Sequence, residues 1–409
     1  MTYDFDQIVD RKKSGSYKWD GIGDAVPMWV ADMDYKTAPA IIEALERRAS
    51  HGIFGYQVVT EEWYQAIQDW WKVRHGLTIE KDWLVFCTGV VPAITCAVKR
   101  LTNHGDRVLV QTPVYDIFFH SIENMGRHVI ENELRYDGQS YDIDYEDLEQ
   151  KLKDPLTTLM ILCNPHNPAG RIWTKEQLAK IGSLCKKHHV LVISDEIHCE
   201  LTDPGYSYVP FASASEECAS ISVTAISASK TFNIAGLQSA AVFIPEEGIR
   251  EKMVRGLNSD EIAEPNAFAI DAVVAAYTQG AEWLEELKQY LYENKCYIRE
   301  YIKKELPQLK IVKSEATYLL WIDCSDLLKQ LQQKEWNAPD RQQLADSRWT
   351  DTVELQKYLK DQAGVYLSGG KQYRGNGDKF LRMNVACPRS QVEEGLRRLR
   401  DGITSLLGK

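Results

Sequence analysis

The 409-residue sequence lacks several features that mark specialised classes of protein. No two of its nine cysteines form a C-x-x-C pair, and no apolar run approaches the about 20 residues of a membrane span. Positive charge is also scarce, because the formal net charge is −11 at pH 7. These absences give no reason to expect a metal site, a disulfide framework, nucleic-acid binding or membrane binding.

The first six residues contain no basic segment followed by an apolar one, so they do not resemble a secretory signal. We therefore expect a cytoplasmic protein with reduced thiols. The chain is longer than one hydrophobic core usually allows, which predicts two domains. We place a large domain at 51–284 and a smaller one at 1–50 and 285–409.

Short apolar runs alternate with segments of helical periodicity between residues 50 and 280. The runs lie at 83–87, 107–110, 159–163, 190–194, 221–226 and 239–244, and helical segments include 92–101 and 175–188. This alternation predicts a mostly parallel α/β sheet whose ligands bind at the carboxyl ends of strands. A long helix at 282–304, followed by short strands and helices, predicts a smaller α/β domain. The polar stretch 330–350 is the predicted linker or insertion.

A lysine flanked by small hydroxyl residues follows the apolar run at 221–226. In the sequence Ser227-Ala228-Ser229-Lys230, partial burial would lower the lysine pKa and make its amine nucleophilic. The hydroxyl groups also suit a phosphate. The motif alone is a weak signal, because most lysines are solvated surface charges.

Two further strand-like runs end in a carboxylate and an amide, Asp195 and Asn167. Each residue alone is also typical of an ordinary turn or cap. With Lys230 they form a set that suits one cofactor: the lysine binds an aldehyde, the aspartate keeps a pyridine nitrogen protonated, and the asparagine donates to a ring oxygen. The three residues therefore predict pyridoxal phosphate (PLP).

Other candidate residues lie at comparable positions. Gly89, Val90 and Val91 form a strand-to-helix turn, where backbone amides can bind an anion, although such turns are common without a ligand. Tyr115 follows another strand and could stack on a cofactor ring or belong to the core. Arg382 lies within an apolar strand, so it needs an anionic partner, either structural or a substrate carboxylate.

With these residues considered together, the chain resembles fold-type I PLP enzymes of the aminotransferase class I/II superfamily over nearly its full length. Within that superfamily it is most similar to PatB/MalY-type cystathionine β-lyases, through PMWVADMD at 27–34, DEIH at 195–198 and SKTFNIAGLQ at 229–238. The resemblance implies a large domain with a mostly parallel sheet sandwiched by helices, a smaller α/β C-terminal domain, and a homodimer with shared active sites.

The resemblance also implies a role for each candidate residue. The implied catalytic residues are Lys230, Tyr115 and Asp195. The implied cofactor-binding residues are Lys230, Asp195, Asn167, His198, Gly89, Val90, Val91, Tyr115, Ser227, Ser229 and Tyr56, the last reaching the phosphate of the neighbouring subunit. The implied substrate-binding residues are Arg382, which takes the carboxylate, and Val30, Ala31 and Asp32.

Two departures from common aminotransferases are informative. His198 replaces their usual tyrosine, and Gln238 replaces their phosphate-binding arginine; both fit the lyase subgroup. The resemblance thus implies a PLP-dependent carbon–sulfur β-lyase that cleaves cystathionine or other L-cysteine S-conjugates to a thiol, pyruvate and ammonia. An aminotransferase using the same residues is the alternative, and a regulatory protein acting through a partner is a third hypothesis. The sequence does not identify the thiol released.

Overall fold

The computed structural model describes residues 2–336 and 347–408. The strands are β1 (Val26–Met28), β2 (Leu84–Cys87), β3 (Arg107–Val110), β4 (His128–Glu131), β5 (Arg135–Tyr136), β6 (Tyr141–Asp142), β7 (Thr157–Cys163), β8 (Leu191–Asp195), β9 (Ser222–Ile226), β10 (Ala240–Phe243), β11 (Lys310–Ile311), β12 (Leu319–Asp323), β13 (Val365–Gly369) and β14 (Phe380–Asn384).

The helices cover most of the intervening chain. They are α1 (Pro39–His51), α2 (Glu61–His75), α3 (Val90–Leu101), α4 (Ile117–Glu123), α5 (Tyr145–Leu152), α6 (Lys175–Lys187), α7 (Phe211–Ala214), α8 (Glu216–Ile221), α9 (Glu247–Ser259), α10 (Ala269–Gln279), α11 (Ala281–Glu305), α12 (Ser325–Trp336), α13 (Val353–Tyr358) and α14 (Arg389–Leu407). Among the described residues, no helix has the length and apolar character needed to cross a bilayer.

A seven-stranded sheet has the order β2-β10-β9-β8-β7-β3-β4. Strands β9, β8, β7, β3 and β4 are parallel, which confirms the predicted mostly parallel sheet. Strand β10 runs antiparallel to both of its neighbours. The connection from β9 to β10 contains only a short 3-10 turn, Ala235–Leu237, and no crossover helix. Parallel neighbours usually need such a helix, so the chain returns in the opposite direction.

Both faces of this sheet are covered by helices, which explains its continuous apolar runs. On strand β7, Leu159 and Ile161 pack into a core that includes residues of α3 and α9. Met160 and Leu162 face the other side, where residues of α5 and α6 pack. The sheet is thus sandwiched by helices, as the resemblance implies.

A second sheet has five strands in the order β1-β13-β14-β12-β11. Strand β1 pairs in parallel with β13, and the other pairs are antiparallel. Its strands lie at 26–28 and 310–384, whereas those of the seven-stranded sheet lie at 84–243. The domain boundaries given above remain a prediction.

Two sequence-based expectations differ in detail from the structure. Helix α12 continues to Trp336, so the predicted linker is wrong over 330–336; buried Leu327, Leu328 and Leu331 on one helix face explain why. Residues 337–346, with Pro339, lie outside the described residues. Among the short helices predicted after residue 304, α13 is continued by a π-helical turn, Leu359–Ala363, which periodicity alone does not indicate.

Candidate active site

The carboxyl ends of β3, β7, β8 and β9 lead into one cavity of about 220 Å³. The residues that line it are Ala31, Thr88, Val90, Val91, Tyr115, Cys163, Asn167, Asp195, Ile197, His198, Ser229, Lys230, Ala235, Gln238 and Ser239. The structure thus brings together nine of the residues predicted from the sequence. Two of the lining residues that the prediction missed, Thr88 and Ile197, adjoin predicted residues along the chain. The others are Cys163 at the end of β7, and Ala235, Gln238 and Ser239 in the segment after Lys230.

Lys230 lies in the turn after β9, with its side chain in the cavity. Its Nζ donates to the carbonyl oxygen of Ala31 at 2.7 Å. Burial and the nearby Arg382 lower the pKa of Lys230 to about 8, although Asp32 and Asp195 oppose the shift. An appreciable fraction of the amine is therefore neutral and nucleophilic near neutral pH.

Ser227 shapes the turn that carries this lysine. Its Oγ donates to the carbonyl oxygen of Ser239 at 2.7 Å and accepts from the backbone N–H of Ser229 at 3.0 Å. Ser227 does not line the cavity, whereas Ser229 does. A direct phosphate contact of Ser227 stays a prediction.

Asp195 is the last residue of β8 and lies beside Cys163 of β7. Its carboxylate accepts from the backbone N–H of Ile197 at 3.1 Å. Burial raises the pKa of Asp195 to about 6, against the opposing effects of that hydrogen bond and of Lys230. A cation bound next to this carboxylate would stabilise its charged form, as a protonated ring nitrogen does.

Arg382 lies in β14 with only 5% of its surface exposed. Its guanidinium donates to Asn167 Oδ1 at 3.2 Å and to the carbonyl oxygen of Trp29 at 2.9 Å, and its Nε has no partner. Among residues 2–336 and 347–408, no carboxylate forms an ion pair with it. A buried cation with neutral acceptors alone is costly, which favours the hypothesis that its anionic partner is a ligand.

Two further cavity features fit an anionic, polar cofactor. His198 is buried, and burial, with Lys230 and Arg382, lowers its pKa to about 3; its Nδ1 has no partner. Helix α3 begins at Val90 and has no side-chain cap, so its first amides are free to bind an anion. Val90 and Val91 line the cavity, which places this helix end beside it. Gly89 precedes them, where a Cβ atom would lie 3.1 Å from Cδ of Pro92.

The predicted substrate-binding stretch 30–32 reaches the cavity through one residue. Ala31 lines it and its carbonyl oxygen accepts from Lys230. The carbonyl oxygen of Val30 is bound by Asn384, and the carboxylate of Asp32 pairs with Arg11 at 2.8 Å. Substrate contacts of Val30 and Asp32 stay predictions.

Two tyrosines of the predicted site lie in contrasting environments. Tyr115 lines the cavity, and burial raises the pKa of its phenol well above the ordinary value, so the hydroxyl keeps its proton. Tyr56 is fully exposed and does not line the cavity of its own chain. Its predicted role depends on a second subunit.

A group of possible metal ligands lies away from the cavity. Donor atoms of His75, Cys199 and Glu200 lie within 4.8 Å of one another. However, the Glu200 carboxylate already accepts from Arg74 at 2.7 Å and from Trp70 at 2.6 Å. A guanidinium at this distance disfavours a second cation, so we keep the prediction that the protein has no metal site.

The family model for aminotransferase class I and II matches residues 25–399. The chain belongs to this family. It is 42% identical to cystathionine beta-lyase PatB of Bacillus subtilis strain 168, over 98% of this chain and 100% of that protein. Protein MalY of Escherichia coli K12 is 32% identical, over 99% and 100%. The fold and family predicted from the sequence are confirmed.

A solved structure gives the same result. Cystalysin from Treponema denticola, which contains a pyridoxal 5'-phosphate cofactor, matches with a TM-score of 0.91 at 32% identity. The match covers 99% of this chain and 100% of that one.

Proposed function

We propose that this protein is a PLP-dependent carbon–sulfur β-lyase that cleaves cystathionine or another L-cysteine S-conjugate by α,β-elimination. The observation that carries the proposal is that Lys230 and Asp195 line one cavity and that Arg382, which does not line it, binds the cavity residue Asn167. The chain also aligns with PatB over 98% of its length. The products are a thiol, pyruvate and ammonia.

The side chains around the cavity suit each part of the cofactor. Lys230 would hold the aldehyde carbon, Asp195 the ring nitrogen and Asn167 the ring oxygen, with Tyr115 and His198 beside the ring. Amides of 89–91 and the hydroxyl of Ser229, with that of Ser227, would hold the phosphate. Gln238 also lines the cavity and brings no charge, so neutral donors carry more of the phosphate binding.

When bound, PLP supplies an electron sink that stabilises negative charge on the Cα atom of an amino acid. Arg382 binds the substrate carboxylate and thereby orients the Cα–H bond. The amine of Lys230, neutral in part because of its lowered pKa, takes the proton from Cα. The Cβ–S bond then breaks, the sulfur leaves with the bonding electrons, and one water is consumed in forming pyruvate and ammonia.

A product assay separates this function from transamination by the same residues. Purified protein with PLP is incubated with cystathionine and with other cysteine S-conjugates, with and without 2-oxoglutarate. We expect thiol and pyruvate in equal amounts without 2-oxoglutarate, and none from the Lys230→Ala control. Amino transfer that requires 2-oxoglutarate and releases no thiol would overturn the proposal.

We also propose a cytoplasmic homodimer with shared sites. Ile53, Phe54, Tyr56 and Val58 are all exposed, and an exposed apolar group of this kind is what a subunit interface buries. By resemblance, Tyr56 then reaches the phosphate of the other subunit. The nine unpaired cysteines support a reducing compartment.

A further inference from the structure

Residues 29–35 form a strap that passes the cavity without regular secondary structure. Side chains, rather than a backbone ladder, bind its carbonyl oxygens. The donors come from the five-stranded sheet and the residue before its strand β12, from the turn that carries Lys230, and from the first 18 residues. The hydrogen bonds run from Arg382 and Ser368 to Trp29, from Asn384 to Val30 and Asp32, from Lys230 and Tyr318 to Ala31, from Lys18 to Asp32, from Arg11 and Asn233 to Met33, and from Asn233 to Tyr35.

Asn384 binds one part of the strap. Its Nδ2 donates to the carbonyl oxygens of Val30 and Asp32, and its Oδ1 accepts from the N–H of Ala386 at 2.8 Å. The residue is buried and follows Arg382 by two positions in β14, so both side chains leave the same face of the strand. The strand that positions Arg382 therefore also positions the strap.

Asn233 binds the other part. Its Oδ1 accepts from the N–H of Met33 at 3.0 Å, and its Nδ2 donates to the carbonyl oxygens of Met33 at 2.9 Å and Tyr35 at 3.0 Å. It lies three residues after Lys230, with a φ of 56°, a conformation that asparagine tolerates better than most residues. The turn that carries Lys230 is thus tied directly to the strap.

The strap carbonyls in turn orient both active-site cations. Trp29 accepts from Arg382 at 2.9 Å, and Ala31, two residues on, accepts from Lys230 at 2.7 Å. The Asn384 contacts at Val30 and Asp32 bracket Ala31. A shift of the strap would therefore move the acceptors of both cations at once.

We infer that Asn384 and Asn233 are positioning residues: by fixing the strap, they set the orientation of Arg382 and Lys230 for the substrate carboxylate and amino group. The inference rests on the proposed function for the identity of that substrate. Neither asparagine lines the cavity, so each acts only through the strap. Because Arg382 is the residue proposed to bind the substrate carboxylate, we expect the effect mainly in substrate binding.

The first test is kinetic. With PLP-saturated protein, Asn384→Ala should raise KM for a cysteine S-conjugate about tenfold while kcat changes less than about threefold, because about 1.4 kcal/mol of hydrogen bonding corresponds to tenfold in binding. Asn384→Asp keeps an oxygen that accepts from the N–H of Ala386 and loses the N–H donors to Val30 and Asp32, so its KM should rise as in Asn384→Ala. Asn233→Gly, which keeps the positive φ accessible, should shift KM in the same direction.

Asn132→Ala is the matched control. Asn132 is also buried, and its Nδ2 donates to the carbonyl oxygen of Asp144 at 3.1 Å and to the carboxylate of Asp147 at 2.8 Å, neither of which belongs to the strap. It should lower thermal stability by a comparable amount and leave KM unchanged. Equal KM shifts in Asn132→Ala and Asn384→Ala would overturn the inference, because the effect would then be general destabilisation.

Hydrogen exchange supplies a readout that needs neither cofactor nor activity. In protein stripped of PLP, amides of 29–35 should exchange faster in Asn384→Ala and Asn233→Gly than in wild type, and at the wild-type rate in Asn132→Ala. Unchanged exchange in both strap variants would overturn the inference. If wild-type protein released no thiol from any conjugate, the proposed function would fail, and the exchange result would still decide whether the asparagines hold the strap.

Discussion

Along the carboxyl edge of the seven-stranded sheet, backbone groups are paired in the ladder up to Cys163 and Asp195, and the side chains that follow face the cavity. In the strap at 29–35 the arrangement is reversed, because buried side chains are used to bind backbone carbonyls. A substitution at the sheet edge therefore removes a chemical group from an intact backbone. A substitution around the strap displaces backbone that other groups depend on.

The largest effect is expected at the sheet edge, from Lys230→Ala. Removing the amine should lower elimination roughly 10⁴-fold, because the general base is lost. After borohydride treatment, the cofactor should stay on the peptide containing Lys230 in wild type and on no peptide in the variant. Lys303→Ala, at an exposed lysine, is the control and should label normally. Labelling of another lysine in wild type would contradict the assignment.

Asp195→Asn tests whether a single sheet-edge group can be exchanged without moving the backbone. Turnover should fall roughly a thousandfold, equivalent to about 4 kcal/mol, because the charge next to the ring nitrogen is lost. Asparagine keeps the acceptor for the N–H of Ile197, so the turn should remain. Near-native turnover would show that the ring nitrogen has another partner.

In the absence of cofactor, Asp195→Asn should be more stable than the wild-type protein. Burial raises the pKa of Asp195 from 3.8 to about 6, so its carboxyl favours folding below pH 4 and loses that contribution as the pH rises through 6. Asparagine has no charge to desolvate, so at pH 7.5 the free energy of unfolding should rise by about 3 kcal/mol. Urea unfolding of the two stripped proteins at pH 7.5 and pH 4 measures the difference, most of which should be lost at pH 4.

Arg382→Lys tests the residue that connects the sheet edge with the strap, since Arg382 donates both to Asn167 and to the carbonyl oxygen of Trp29. Lysine keeps the charge and loses the fork geometry, so KM should rise roughly 30-fold with a smaller change in kcat. Arg397→Lys, at an exposed helix position, should leave both constants unchanged. A wild-type KM in Arg382→Lys would mean that the carboxylate binds elsewhere.

Tyr56 extends the comparison to a second subunit. Tyr56→Phe should weaken PLP binding about tenfold through loss of one hydrogen bond to phosphate. When PLP is too dilute to fill the site of Tyr56→Phe, co-expression with Lys230→Ala should restore part of the activity, because one site of each mixed dimer combines an intact Lys230 with an intact Tyr56. A fully active monomer would exclude the shared site.

The smallest effect concerns pH. The neutral amine of Lys230 is the reactive form, and burial and Arg382 lower its pKa to about 8. The rate of PLP attachment to stripped protein should therefore rise about fivefold from pH 7 to pH 8 and level off near pH 9. Stopped-flow absorbance measures this rate. A rate that keeps rising to pH 10 would indicate a lysine with an ordinary pKa.

The sheet edge could be predicted from the sequence because its signals are local. Lys230, Asp195 and Asn167 each follow an apolar run within a few residues, and the carboxyl ends of parallel strands converge. The family resemblance then supplied the roles, including that of Arg382. The direction of β10 could not be predicted, since it depends on how the turn after β9 packs.

The strap could not be predicted in the same way. Asn384 binds Val30 across 354 residues, and the atoms it binds are backbone carbonyls, which every residue carries. Asn233 lies in a turn, where asparagine is a common residue, so the sequence does not distinguish it from an ordinary turn asparagine. Only the fold brings these residues together, so the prediction that 30–32 contact substrate came from resemblance and not from chemistry visible in the sequence.

The contact between Arg382 and the carbonyl oxygen of Trp29 also bears on how a product leaves. In the proposed function the carboxylate that arrives can use Arg382 Nε, which has no partner in the protein, while the contact to Trp29 stays in place. When the product departs, the carbonyl oxygen of Trp29 is still bound to the guanidinium, so the buried charge is never left without an acceptor.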